Sequence, residues 1–166
     1  MNDFLAPSDW EGEYSYVHQA TDMEVPGSIR FSLNIKEVIR TTFSGIVQDH
    51  PMFGSIDAAK VRGEINGRAI RFTKIYPTIY VYNSDAVVVT LAEYYWTEQE
   101  IRLDCDAPAS SVEYEGTFNP DTGFLTGSWR LEPKAVQVLI EGLRHYVDLP
   151  GSYGHWKAHR VGIQSI

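Results

Sequence analysis

The sequence predicts an all-β protein, an antiparallel up-and-down barrel of about eight strands with one late α-helix. Three observations carry this expectation. Apolar and polar residues alternate with a period of two along most of the chain, as half-buried strands require. Short clusters with turn chemistry separate the alternating runs. Glycines also stand inside otherwise good strands, where they weaken the strand unless a bend or a close backbone approach needs them.

The elements follow in order. Residues 13–18 read as the first strand. Over 28–36, Ile29, Phe31, Leu33 and Ile35 share one face, and Arg30, Ser32, Asn34 and Lys36 share the other. Over 41–49, Phe43, Gly45 and Val47 alternate with Ser44, Ile46 and Gln48 before the turn-like Asp49-His50-Pro51-Met52-Phe53-Gly54. Runs at 56–65 and 69–76 flank Asn66-Gly67, the signal of a type I′ hairpin. Stretches 78–82 and 85–91 are strand-like, and 92–100 fits either helix or strand. Runs at 112–118 and 124–131 flank Asn119-Pro120-Asp121-Thr122-Gly123. There Pro-Asp suits a type I turn, and glycine takes the left-handed position that closes it. Over 133–147, Val136, Ile140, Leu143 and Tyr146/Val147 recur at helical spacing, with Pro133 at the start and Pro150-Gly151 beyond the end. That pattern predicts the helix. Residues 152–161 form the last strand.

Matching parity on successive strands places Phe31, Leu33, Phe43, Val61, Ile65, Ile70, Phe72, Tyr114, Leu125, Trp129 and Trp156 in one core. Gly45, Gly63, Gly116 and Gly127 supply bends on successive strands, which favours a closed barrel over the alternative, a β-sandwich.

Composition sets the class. The 166 residues fit one domain, 1–166, with 43% apolar and 22% charged residues. The net charge is −8 and no dense Lys/Arg run occurs, so nucleic acid and anionic membranes are not expected partners. The one cysteine, Cys105, allows no internal disulfide and favours a reducing compartment. The N-terminal residues 1–9 are acidic and contain Pro7, unlike a signal peptide, and no apolar stretch reaches about 20 residues. A cytoplasmic location is the expectation.

Five groups of residues bear on chemistry. Alternation puts Ile70, Phe72, Lys74 and Tyr76 on one face. If that face is the interior, the Lys74 ammonium needs a partner or a depressed pKa, which suits a polar ligand group or acid–base work. The plainer reading has Lys74 at the barrel mouth, reaching water. Glu113 and Glu115 share a strand face, more in keeping with a solvated outer surface than with a carboxylate pair. His155 and His159 lie four apart, which on a strand is about 13 Å, too far for one metal ion. No metal and no cofactor are expected. Cys105 sits between Asp104 and Asp106, which disfavours a reactive thiolate. Tyr94-Tyr95-Trp96 cannot all face inward on one regular element, so residues 92–104 are expected to form a lid or partner surface outside the barrel, with a homo-oligomer as one outcome.

Trp10-Glu11-Gly12-Glu13-Tyr14, Phe43-Ser44-Gly45, Gly63-Glu64-Ile65-Asn66-Gly67, residues 70–76, Tyr114-Glu115-Gly116, Gly127-Ser128-Trp129 and Gly154-His155-Trp156 occur in chain order. Together they resemble the calycin group of lipocalin-like and avidin-like barrels, notably its uncharacterised soluble bacterial members. The order Trp10-Glu11-Gly12 reverses the Gly-x-Trp of lipocalins. The resemblance implies an interior that holds a small apolar or amphipathic ligand, and it transfers no catalytic residue. Three functions follow, in this order: a non-catalytic small-molecule binder using Lys74, Tyr76, Tyr114, Trp129 and Trp156; a protein-interaction domain using an acidic or aromatic surface; and a barrel isomerase or cyclase with Lys74 and Tyr76 near the chemistry.

Overall fold

The computed structural model describes residues 7–18, 23–24, 27–50, 57–82, 88–90, 102–103, 111–140 and 142–163. Its strands are β1 (Ser8–Tyr14), β2 (Val17–His18), β3 (Met23–Glu24), β4 (Ile29–Ile39), β5 (Thr42–Asp49), β6 (Ala59–Asn66), β7 (Ala69–Ile75) and β8 (Tyr80–Tyr82). They continue as β9 (Val88–Thr90), β10 (Arg102–Leu103), β11 (Ser111–Asn119), β12 (Phe124–Leu131), β13 (Lys134–Ile140), β14 (Leu143–Leu149) and β15 (Ser152–Ile163).

Eight of these close on themselves in the order β1-β4-β5-β6-β7-β11-β12-β15, and β15 pairs back onto β1. Every neighbouring pair is antiparallel. The sandwich alternative is therefore set aside. Closure is what the alternation demands, because a barrel buries one face of every strand and leaves no long edge. All eleven residues expected in the core are buried in one cluster, with Trp10, Tyr14, Ile35, Val47, Val112 and Ala158 beside them. Burying each large apolar side chain contributes roughly 1.5–3 kcal/mol.

Glycine is required where two strands approach under an indole. Gly127 pairs with Gly116 across β11 and β12. A Cβ on Gly127 would lie 1.8 Å from the Glu115 carbonyl oxygen and 2.5 Å from the Gly116 Cα. A Cβ on Gly116 would lie 2.7 Å from the Trp156 ring. The glycine pair thus lets Trp156 sit flush in the wall.

Turn chemistry was largely legible, with one shift. At 119–124 the Gly123 N–H donates to the Asn119 carbonyl at 2.8 Å, and Gly123 has φ 72°. At the next hairpin Asn66 pairs with Ala69, so the loop residues are Gly67 and Arg68. Only Gly67 has positive φ, at 62°, which matches a type II′ turn and not the expected I′.

Two expectations fail. The first barrel strand is Ser8–Tyr14, not 13–18; Val17–His18 is a separate short strand on β15. The helix at 133–147 is instead the hairpin β13–β14, in register from Lys134↔Leu149 to Ile140↔Leu143. The spacing i, i+4 fits both periods, because four is also an even number of strand residues. β-branched Val136, Val138 and Ile140 favour strand, and Gly142, at φ 76°, turns the chain in the middle of the proposed helix. Among the described residues there is no helix.

The two ends of the barrel differ. Tight turns at 40–41, 67–68 and 120–123 close one end. There the Arg160 guanidinium lies 5.9 Å from the Trp10 ring centroid, and the Trp10 indole N–H donates to Ser8 Oγ at 2.9 Å. The longer connections, 15–28, 50–58, 76–110 and 132–151, all leave from the other end.

Candidate functional site

β5 and β7 each carry a charged residue on the inward parity near the end that bears the long connections. On β5 the buried series Phe43 and Val47 continues to Asp49. On β7 the buried series Ile70 and Phe72 continues to Lys74. Lys74 is level with Val61 on the intervening β6, and Val61 is level with Gly45 on β5. Asp49 stands four residues further along, so the four-carbon stem of Lys74 has to reach across β6 to meet it.

The two side chains form a closed pair, each 1% exposed. Lys74 Nζ donates to Asp49 Oδ1 at 2.6 Å and to Oδ2 at 2.7 Å. The Tyr76 hydroxyl, just beyond β7, donates to Oδ2 at 2.7 Å. The ammonium also lies 4.6 Å from the Tyr76 ring centroid and 5.7 Å from that of Tyr14. One carboxylate, one ammonium and one phenol are thus held inside a wall of aromatic rings, where each hydrogen bond is stronger and each unmet group is costlier than in water.

Burial dominates the electrostatics. It lowers the Lys74 pKa, and the facing Asp49 charge with its hydrogen bonds acts in the opposite direction. Burial raises the Tyr76 hydroxyl well above its ordinary value, and the adjacent Asp49 carboxylate adds to this. Tyr114 is likewise raised well above the usual range, by burial first and by Asp49 second. Both phenols therefore remain neutral donors well into alkaline conditions.

The structure brings Lys74, Tyr76, Tyr114, Trp129 and Trp156 to the interior together. Their roles differ. Tyr114 stacks on Phe72 at 4.7 Å between ring centroids and also packs near Trp129 and Trp156. Trp129 Nε1 donates to the Ser15 carbonyl at 2.9 Å. Trp156 Nε1 is shared between the carbonyls of Glu115 and Ser128, at 3.0 and 3.2 Å. The indole N–H groups thus fasten the wall, and Lys74 and Tyr76 are the ones that meet at a charge.

Sequence reasoning missed Asp49, which it placed in a turn, and Tyr14, which it grouped with the aromatics. Parity carried the signal for Asp49, since it continues the inward series of Phe43 and Val47. Glu113 and Glu115 are exposed on the outer face, where Glu113 pairs across with Arg130 and Glu115 with Arg71 and Ser128. They line an open groove of about 870 Å³ with Arg62, Arg71, Arg130 and His155. His155 and His159 lie exposed on β15 at strand spacing. Cys105 and Tyr94-Tyr95-Trp96 fall outside the described residues, as does all of 92–104 except β10. Among the described residues no helix is long and apolar enough to cross a membrane. Compared with protein-family models and with curated proteins, the chain matches none.

Proposed function

We propose that the protein is a non-catalytic, calycin-like barrel that binds a small amphipathic molecule through the end bearing the long connections. The observation that carries this reading is the Asp49–Lys74–Tyr76 cluster inside an otherwise apolar, aromatic-rich interior. A buried ion pair is often no more stabilising than well-packed apolar residues of the same volume, so stability alone gives little reason for one here. A few convergent polar groups in an apolar, aromatic setting are the usual composition of a small-molecule site. Lys74 directs two N–H groups at Asp49, and the carboxylate accepts three hydrogen bonds. An ammonium has three N–H groups and a carboxylate about four acceptor positions, which leaves one of each for a polar ligand head. Tyr14, Tyr76 and Tyr114 would flank the apolar body. The same reading puts the protein in the cytoplasm, in keeping with its single cysteine and its charge of −8.

The test is tryptophan fluorescence, titrating a panel of long-chain carboxylates, amides, alcohols and amines. Saturable quenching by a member with a polar head is expected, weakened about ten-fold or more by Lys74→Met or Tyr76→Phe. If no class binds, or both variants bind as wild type does, the reading fails.

A further inference from the structure

Among the described residues the buried charged side chains are Asp49 and Lys74. One is an anion and the other a cation, and they meet at 2.6 and 2.7 Å. Together they bring no net charge to the interior. The phenols beside them add none, because burial holds Tyr76 and Tyr114 in the neutral form. Arg160, partly buried, stands over Trp10 at the other end of the barrel. The cluster is therefore a dipole, with an ammonium N–H at one pole and a carboxylate lone pair at the other.

A head group that settles against this dipole leaves water. Burying a charge with no counter-charge costs far more than burying a neutral group whose hydrogen bonds are met. A carboxylate head accepts from Lys74, but it has no proton for Asp49 and sets a second anion beside the first. An ammonium head donates to Asp49, but it has no lone pair for Lys74 and sets a second cation beside that one. An ester accepts from Lys74 and offers Asp49 nothing. A hydroxyl or a primary amide donates to Asp49, accepts from Lys74 and adds no charge. Buried polar groups that a ligand leaves unmet are what make such a site reject it.

Given a ligand at this cluster, as proposed above, we infer that the site selects a neutral head that both donates and accepts, an alcohol or a primary amide, over carboxylate and ammonium heads on the same chain. Asp49 is then the residue that sets specificity. By neutralising Lys74 it removes the attraction for an anion that a lone buried ammonium would have.

Tryptophan fluorescence titrations with decanol, decanamide, methyl decanoate, decanoate and decylamine test it. At about pH 8 the acid is ionised and the amine protonated, while the apolar tail stays the same. Decanol or decanamide should bind wild type about ten-fold or more tighter than decanoate or decylamine, and tighter than methyl decanoate, which cannot donate to Asp49. Asp49→Asn leaves Lys74 as the one charge of the pair and should narrow the gap between decanoate and decanol about ten-fold or more. Lys74→Met leaves Asp49 and should do the same for decylamine. Near-ultraviolet circular dichroism shows whether each variant is folded, and the wild-type ranking decides the matter where one is not. If none of the five binds, the ligand reading fails and takes the inference with it. If decanoate, decylamine or methyl decanoate binds wild type as tightly as decanol and decanamide do, the ligand reading stands and the inference is overturned. A folded Asp49→Asn protein that keeps the wild-type preference overturns it too.

Discussion

Replacing Asp49 by leucine leaves the Lys74 ammonium facing Tyr14 and Tyr76 with no counter-charge. Lys74 is 1% exposed, so water cannot take over the lost hydrogen bonds without opening the barrel. Removing one partner of a buried pair costs about 3–5 kcal/mol. The reverse change, Lys74→Met, leaves the Asp49 carboxylate with one of these three hydrogen bonds, that from the Tyr76 hydroxyl, and falls in the same range. The double variant Asp49→Leu/Lys74→Met removes both charges and puts apolar groups of similar reach in their place, a replacement that is often neutral or stabilising by about 1–4 kcal/mol. It also removes the Asp49 carboxylate that accepts from the Tyr76 hydroxyl, and losing that buried hydrogen bond costs about 1–3 kcal/mol. The two effects oppose each other, so the double variant should match wild type to within about 3 kcal/mol, and adding Tyr76→Phe should recover the hydroxyl penalty. Urea denaturation at neutral pH measures wild type and the four variants, provided the slopes agree and the transitions are two-state. Single-variant losses that simply add in the double variant would refute the account of a mutually dependent buried pair.

Three further outcomes are expected. Tyr76 has a folded-state pKa raised well above its unfolded value, so its contribution to stability is intact below about pH 10 and is lost as pH rises above it; Tyr76→Phe should shallow the alkaline loss of stability seen by thermal melting, and an unchanged alkaline limb would count against the assignment. Gly127→Ala drives a Cβ to within 1.8 Å of the Glu115 carbonyl oxygen, so the two central strands must part; the cost should reach or exceed the roughly 1–3 kcal/mol of ordinary overpacking, read from the melting temperature, and a neutral variant would contradict the close approach. With a charge of −8 and no basic stripe, labelled oligonucleotides should show no submicromolar binding at physiological salt; salt-sensitive tight binding would overturn that exclusion.

The barrel was legible because burial on one face forces a period of two, and that period is written residue by residue in Ile29, Phe31, Leu33 and Ile35. The turn at 119–124 was legible because proline, aspartate and glycine each have a local backbone preference. The hairpin at 134–149 was misread because Val136 and Ile140 satisfy both periods, and the discriminating residue, Gly142, was not weighed as a turn. The site was half legible. Lys74 could be placed inward from β7 alone, whereas its partner depends on the stagger of β5 against β7 across β6. No local pattern encodes that offset, and the turn-like sequence after Asp49, with Pro51 and Gly54, disguised an inward strand position as part of a loop.

The central claim is that the polar cluster serves a ligand and not the fold. Its most direct test is the affinity of the best ligand from the fluorescence panel for the Asp49→Leu/Lys74→Met protein, whose stability is expected to be near that of wild type. The account predicts a folded barrel, with an unchanged near-ultraviolet spectrum, that has lost about ten-fold or more in affinity. A folded double variant that binds with wild-type affinity would contradict it.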